Sequence, residues 1–112
     1  MLPCGFSLPV LALGTMGLEK KTSATSVVAA AFRHGILASL DLAPTYRNES
    51  DVGVALRALP APPLLIEKVP RKGPLVGGPM RSAANVRTEV SGSLAKLGVS
   101  RVDLLLLQGR MR

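Results

Sequence analysis

The sequence predicts an α/β domain in which four parallel strands alternate with three helices. Four short apolar runs, at residues 8–13, 36–42, 64–69 and 102–107, have the length of strands and are bounded by glycine, proline or ionisable residues. The segments between them carry helix-capping residues and apolar side chains at helical spacing. Alternating strands and helices are typical of βαβ units, so both a small open sheet and half of an eight-stranded (β/α)₈ barrel satisfy the pattern.

The first strand is predicted by its apolar composition and the first helix by its ends. Leu8 to Leu13 is an apolar run closed by Gly14-Thr15, as suits a strand buried on both faces. From Ser23 onward, serine and threonine supply capping oxygens, alanine and phenylalanine fill a helix, and Gly35 suits a left-handed C-terminal stop. The second strand, at residues 36–42, follows directly.

The second helix is predicted by its first turn and by its apolar face. Asn48 is placed to cap it, while Glu49 and Asp51 bring negative charge to the positive end of the helix dipole. Four apolar residues then fall on one face: Val52, Ala55, Leu56 and Leu59. Prolines end this helix, and the third strand, Leu64 to Val69, follows.

The last part of the chain predicts a loop, a helix and a strand. Residues 70–80 are rich in proline and glycine and form the loop. Ser82 is placed to cap a third helix, which Gly98 ends. The predicted apolar face of this helix is Val86, Val90, Leu94 and Leu97. The fourth strand, Val102 to Leu107, leads into the tail Gln108 to Arg112.

Composition sets the size and the class of the protein. A chain of 112 residues with 47% hydrophobic and 3% aromatic content predicts one domain with an aliphatic core. The net charge of +7 comes from basic residues scattered along the chain without interleaved aromatic residues, which argues against a nucleic-acid partner. A basic soluble surface explains the charge, and an anionic small ligand such as a phosphorylated cofactor is the other interpretation.

The sequence carries no signal for export or for membrane insertion. A single cysteine, Cys4, rules out an internal disulfide, and the N-terminus lacks the basic segment of a signal peptide. No apolar run approaches the ~20 residues needed to span a bilayer. We therefore expect a cytoplasmic protein with no membrane partner.

Ionisable residues lie where the predicted strands end. Asp41 closes the apolar core of the second strand, Lys68 lies near the end of the third, and Tyr46, the only tyrosine, follows Asp41 by five residues. Parallel α/β folds place their chemistry at this edge of the sheet. These residues form either one corner of an active site or a structural ion pair beside a half-buried loop tyrosine.

Four blocks of the sequence resemble the N-terminal half of the aldo-keto reductase family. Residues 8–15 (LPVLALGT) resemble its first-strand signature. Residues 41–49 (DLAPTYRNE) resemble its Asp-x-Ala-x-x-Tyr-x-x-Glu motif, and residues 65–69 (LIEKV) resemble its third-strand lysine segment. Residues 93–107 resemble the run into its fourth strand. The blocks occur in the family's order and cover nearly the whole chain.

The resemblance implies a partial (β/α)₈ TIM barrel of about four βα units, with residues 1–112 as a truncated N-terminal half of an NADP-dependent oxidoreductase domain. It also implies NADPH-dependent reduction of a small-molecule aldehyde or ketone. In this interpretation Tyr46 is the proton donor, Lys68 stabilises its phenolate and Asp41 holds the lysine in place. The cofactor neighbours that the resemblance carries over are Gly14, Thr15, Met16 and Asp41.

Two departures from the family pattern define an alternative. Gln108 stands where the family has a histidine, and glutamine donates a hydrogen bond to a carbonyl oxygen but stays neutral, so it is a weak substrate-binding candidate. Most family contacts to the cofactor phosphates come from later strands, so the alternative is a catalytically inactive truncated fragment. A half barrel also leaves two apolar strand edges open, which predicts self-association through them.

Overall fold

The structure, a computed structural model, describes residues 5, 7–18, 21–73, 77–79 and 82–108 of the chain. Its elements in chain order are β1 (Leu13–Gly14), α1 (Lys21–Arg33), β2 (Ser39–Asp41), a 3₁₀ turn (Pro44–Tyr46), α2 (Glu49–Arg57), β3 (Leu64–Val69), β4 (Lys72–Gly73), β5 (Gly78–Pro79), α3 (Ala83–Leu97) and β6 (Leu104–Leu107).

Within the described residues, β1, β2, β3 and β6 form one parallel sheet in that order. The paired stretches lengthen along the chain, from two residue pairs between β1 and β2 to three between β2 and β3 and four between β3 and β6. A helix connects each strand to the next one in the sheet, so the carboxyl ends of the strands lie at one edge. The predicted α/β class with parallel strands is confirmed.

Strand β1 is shorter than the strand predicted at residues 8–13. Val10 is 100% exposed and Leu11 is 63% exposed, although both belong to that apolar run. The reason is that β1 lies at the edge of the sheet and β2 begins only at Ser39, so the earlier residues have no ladder partner in the described part of the chain. The Ser39 hydroxyl still donates a hydrogen bond of 3.0 Å to the Leu11 carbonyl oxygen.

The loop predicted at residues 70–80 contains a small hairpin. Strands β4 and β5 pair antiparallel, with Lys72 opposite Pro79 and Gly73 opposite Gly78. They form a separate two-stranded sheet, and residues 74–76 and 80 lie outside the described residues. The prediction of a loop is therefore wrong at the four residues of β4 and β5, which pair as two short strands outside the main sheet.

The core lies between the main sheet and the helices and is built from aliphatic side chains. Helix α2 buries the face that its spacing predicts, with Val52, Ala55 and Leu56 buried and Leu59 at the margin of the cluster. The buried cluster consists of Ala24, Val28, Leu40, Leu42, Val52, Ala55, Leu56, Leu65 and Leu97. Helices α1 and α2 contact each other, as do α2 and α3. In the described part of the chain no helix is long and apolar enough to cross a bilayer.

The buried face of α3 overlaps the predicted one but is rotated from it, so that Val86, Val90 and Leu94 are half-buried. Of the predicted apolar stripe only Leu97 is buried, and the other buried residues of α3 are Glu89 and Ser93. The spacing of four between these three residues directs them to one side, toward α2 and β3, which α3 contacts. Ser93 also makes a polar contact with α2, described below, which apolar spacing in the sequence does not predict.

The predicted glycine stops of the first and third helices and the predicted serine cap of the third are confirmed, whereas α1 begins at Lys21, two residues before Ser23. The Ser82 hydroxyl accepts a hydrogen bond of 3.1 Å from the Asn85 backbone N–H at the start of α3. Gly98 follows α3 in the left-handed conformation with φ of 71°, and Gly35 follows α1 with φ of 70°.

A close approach between helices makes Gly53 the most sterically restricted position of α2. A Cβ atom at Gly53 would lie 2.5 Å from the Lys96 carbonyl oxygen and 2.9 Å from that of Leu97, and both are backbone atoms. We expect Gly53→Ala to lower the free energy of unfolding by about 1–3 kcal/mol, because this overpacking outweighs the ~1 kcal/mol helix preference of alanine over glycine.

Urea denaturation monitored by circular dichroism measures this effect. The matched control is Val54→Ala, at the next residue of the same helix, whose side chain is 51% exposed and whose replacement should change stability by about 0.5 kcal/mol or less. A Gly53→Ala protein as stable as the parent would contradict the packing described for α2 and α3.

Candidate active site

An ion pair joins the ends of β2 and β3. The Lys68 ammonium lies 2.6 Å from the Asp41 Oδ1 atom and donates a second hydrogen bond of 2.9 Å to the Leu42 carbonyl oxygen. The register pairs Asp41 with Ile66, so Lys68, two residues beyond Ile66, extends from the same face of the sheet as Asp41. The Lys68 side chain is 15% exposed and the Asp41 side chain is 34% exposed, so the pair is partly shielded from water.

Tyr46 lies next to this ion pair on a tight turn. It is the last residue of the 3₁₀ turn, its side chain is half-buried, and its ring centroid lies 5.2 Å from the Lys68 Nζ atom. That distance is within the range of a cation–π contact. Arg47 adopts the left-handed conformation with φ of 59°, and this lets the chain reverse from the turn into α2.

Thr15 and Asn48 attach the loop after β1 to this group. Thr15 is fully buried, and its hydroxyl donates a hydrogen bond of 2.8 Å to the Asp41 carbonyl oxygen. The Asn48 side-chain amide donates one of 2.6 Å to the Thr15 carbonyl oxygen. Asn48 is the N-cap residue of α2, as predicted, but its side chain makes no capping hydrogen bond and bonds instead to the loop after β1.

The remaining sequence-predicted site residues lie at the same edge of the sheet. No atom lies within 4 Å of the position that a Cβ would take at Gly14, so space is open there. Met16 is 76% exposed. The Gln108 backbone N–H donates to the Val69 carbonyl oxygen over 2.9 Å, and its Oε1 atom accepts a hydrogen bond of 3.3 Å from the Thr45 hydroxyl, beside Tyr46.

A buried pair of carboxyl groups was missed by the sequence reasoning. Glu67 is 1% exposed and Glu49 is 3% exposed. Burial raises the pKa of Glu67 to about 9, and the side-chain hydrogen bond and charge of Glu49 act in the same direction, while the backbone N–H and the charge of Lys68 oppose them. Side chains along a strand alternate between its two faces, which directs Leu65, Glu67 and Val69 of β3 to the buried face. This alternation could have predicted that Glu67 is buried.

A parallel βα sheet with aspartate, lysine and tyrosine together at its carboxyl edge has the layout of part of a (β/α)₈ barrel enzyme. The sequence profile of the Aldo/keto reductase family matches residues 10–108, and the chain belongs to that family. The resemblance seen in the sequence is confirmed. Comparison with curated proteins yields no match.

Solved structures of the family are similar to the chain over most of its length. An aldo/keto reductase from Brucella melitensis is 28% identical, with a TM-score of 0.78 over 95% of this chain and 39% of its own. The holo form of an aldo-keto reductase from Bacillus halodurans is 30% identical, with a TM-score of 0.76 over 90% and 36%. The aldose reductase from Schistosoma japonicum is 26% identical, with a TM-score of 0.73 over 95% and 35%. The chain thus spans less than two fifths of the length of these proteins.

The hydrogen bond from Thr15 to the end of β2 generates a stability prediction. Thr15→Val keeps the side-chain shape and removes the donor, which leaves the Asp41 carbonyl oxygen with only the longer bond of 3.2 Å from the Thr15 backbone N–H. We expect a loss of about 1 kcal/mol in the free energy of unfolding. Thr45→Val removes the hydroxyl of an exposed residue and should change stability by about 0.5 kcal/mol or less. Urea denaturation compares the two variants, and equal effects would argue against the role given to Thr15.

Proposed function

We propose that these residues serve the NADPH-dependent reduction of an aldehyde or ketone to an alcohol. In this proposal Tyr46 is the proton donor, Lys68 assists it and Asp41 orients Lys68. The observation that carries the proposal is the position of the Lys68 ammonium, 2.6 Å from the Asp41 carboxylate and 5.2 Å from the Tyr46 ring centroid. Membership of the aldo-keto reductase family supports it.

The chemistry of the three side chains follows from their charges. NADPH, when bound, supplies the hydride that adds to the carbonyl carbon of the substrate. The carbonyl oxygen then gains negative charge and takes the phenolic proton of Tyr46. The Lys68 cation favours the phenolate that remains, and Asp41 keeps the ammonium beside it through the 2.6 Å contact. Tyr46 recovers its proton from water, so the site returns to its starting state.

The described residues fit the nicotinamide end of the cofactor better than its phosphates. Gly14 borders open space and Met16 is exposed, so a planar ring has room at the edge beside Asp41. The Thr15 hydroxyl is occupied by the Asp41 carbonyl oxygen, and Lys68 is occupied by Asp41. Neither is therefore offered to a phosphate group, and we assign Gly14, Thr15 and Met16 to the nicotinamide side.

Gln108 is our candidate for orienting the carbonyl substrate. Its side chain is half-buried, and its Oε1 atom accepts from Thr45, which leaves the amide N–H groups as the donors of that side chain. An amide donor aligns a carbonyl oxygen without adding positive charge, so the proton that completes the alcohol would come from Tyr46 alone. A reductase of this type, with a single cysteine, fits the cytoplasm.

The competing proposal is an aldo-keto reductase fragment that has no turnover. It is favoured by the share of its relatives that the chain spans, 39% in the structure from Brucella melitensis. In this case the Asp41–Lys68 pair is purely structural.

Titration of the chain with NADPH, followed by nicotinamide fluorescence, separates the two proposals. Saturable binding with slow carbonyl reduction supports the enzyme, and the absence of binding supports the inactive fragment. For an active chain, Tyr46→Phe should lower the reduction rate at least ~100-fold while NADPH binding is retained, because only the donated proton is lost. The control is Ser50→Ala, which removes an exposed hydroxyl from α2. A Tyr46→Phe protein that keeps most of the rate refutes the role of Tyr46.

We also propose that two copies of the chain associate through the open edges of the sheet. Strand β6 lies at one edge with Leu105, Leu106 and Leu107 exposed by 42%, 41% and 64%, and β1 lies at the other. A two-fold axis along the strand direction would set β6 of each copy against β1 of the other and keep all strands parallel. The product has eight strands, the number of the family's closed barrel.

Analytical ultracentrifugation tests the association. We expect a species of twice the 11.7 kDa chain mass that Leu106→Lys converts to the monomer, because a charge would enter an apolar strand contact. Val54→Lys places the same charge on an exposed position of α2 and should leave the dimer intact. A monomer at working concentration in the parent protein rules the proposal out.

A further inference from the structure

Two buried carboxyl groups lie on the sheet face opposite the Lys68–Asp41 pair. Successive side chains of a strand point to opposite faces, so Glu67 extends toward the helices while its neighbour Lys68 extends toward Asp41. Glu49, the first residue of α2, acts on Glu67 through its side chain and its charge, and both raise the pKa of Glu67. The Ser93 hydroxyl of α3 donates to Glu49 Oε1 over 3.2 Å, and the Lys68 backbone N–H donates to Glu67 Oε1 over 2.9 Å.

These hydrogen bonds leave one carboxyl oxygen of Glu49 and one of Glu67 without a partner. Glu49 Oε2 and Glu67 Oε2 are buried, and each lacks a partner when both groups are treated as carboxylates. One proton held between the two acids satisfies both oxygens and removes the repulsion between two like charges. A metal ion fits less well, because the described residues contain no group of three or more histidine, cysteine, aspartate or glutamate side chains that could hold one.

The acid pair is linked to the candidate site by short stretches of chain. Glu49 follows Tyr46 by three residues, and Glu67 directly precedes Lys68. We propose that Glu49 and Glu67, joined by one shared proton, are positioning residues that hold the Tyr46 turn against the end of β3. The part that this position plays in the reaction rests on the proposed function. The position of Tyr46 relative to β3 is itself measurable without cofactor or substrate.

The groups that face Glu67 determine how the pair responds to pH. Glu49 faces it from α2, and Lys68 contributes its backbone N–H and its charge from β3. Helix α3 contributes the Ser93 hydroxyl to Glu49, and Glu89, one turn before Ser93, is buried and also makes an interaction. Burial and Glu49 together raise the pKa of Glu67 to about 9 from an ordinary value of 4.5.

The direction of the pH effect on stability follows from this shift. Between pH 4.5 and about 9 the folded chain holds a proton on Glu67 that the unfolded chain has lost. The folding equilibrium constant should therefore fall by up to about tenfold for each pH unit in this window, and level off above it. Urea denaturation from pH 6 to pH 9 measures the slope. Glu67→Gln, whose amide donates to Glu49 without titrating, should reduce the slope, and an unchanged slope would overturn the shared proton.

The intrinsic fluorescence of the chain comes from Tyr46, because the chain has one tyrosine and no tryptophan. Its quenching therefore measures how exposed Tyr46 is. Acrylamide quenching of its fluorescence at pH 7 compares the parent with Glu67→Gln, which keeps the link to Glu49, and Glu67→Leu, which removes it. We expect Glu67→Gln to match the parent and Glu67→Leu to raise the quenching constant about twofold, as local opening exposes the turn. If Glu67→Leu does not fold, Glu49→Ala replaces it and removes the link from the α2 side.

Two controls separate positioning from a general loss of stability. Val28→Ala removes buried volume from α1, distant in sequence from the turn, and should lower stability without changing the quenching of Tyr46. Val54→Ala changes an exposed side chain of α2 and should leave the quenching at the parental value. The proposal is overturned if the variant without the link, once folded, quenches like the parent, or if Val28→Ala raises quenching equally. Neither result depends on NADPH binding, so failure here is distinct from failure of the proposed reductase.

Discussion

The register between β2 and β3 is the constraint on which the rest of the site depends. Asp41 pairs with Ile66, which sets Lys68 on the same face as Asp41 and directs Glu67 to the opposite face. A slip of one residue would exchange the two faces, because the side-chain period of a strand is two. It would bury the ammonium of Lys68 among the helices and turn the Glu67 carboxyl toward Asp41. The second change would bring two carboxyl groups together and take the cation away from Asp41, which is strongly unfavourable.

Polar interactions therefore specify both faces of the same strand end. On one face Lys68 is held by Asp41 and by the Leu42 carbonyl oxygen, and on the other Glu67 is held by Glu49 and its own neighbouring backbone N–H. The aliphatic core around Leu40 and Leu65 supplies most of the burial but little selectivity of register, because leucine fits many neighbours. Stability and specificity thus come from different parts of this sheet.

The sequence contained enough information for the fold and for the proximity of Asp41 and Lys68. Apolar runs at strand length, glycine stops such as Gly98 and the periodic face of α2 depend on local chemistry, and each is visible in a single sequence. The contacts around the candidate site that escaped prediction are long-range polar ones. Asn48 bonds to Thr15 rather than to its own helix, and Glu49 bonds to Ser93 across the helix interface.

The same limit explains the face of α3 and the extent of β1. Hydrophobic spacing predicted a stripe ending at Leu97, but the buried residues of α3 also include Glu89 and Ser93, and Ser93 donates a hydrogen bond to Glu49 of α2. The apolar run before Leu13 predicted a longer strand, and it is exposed where no described strand lies beside it. Hydrophobic composition indicates that a segment tends to be buried. Whether the segment forms a strand depends on which neighbouring strands are present to pair with it.

The unequal lengths of the strand ladders imply an order of local unfolding. Two residue pairs attach β1 to β2, three attach β2 to β3, and four attach β3 to β6. The amides of β1 should therefore exchange with solvent hydrogen fastest among the sheet strands, while β2 and β3 stay joined through Lys68 and Asp41. The Gly14 segment can detach and return without disturbing that ion pair. A molecule that contacts this segment would slow its exchange, so binding there would be coupled to ordering of the first strand.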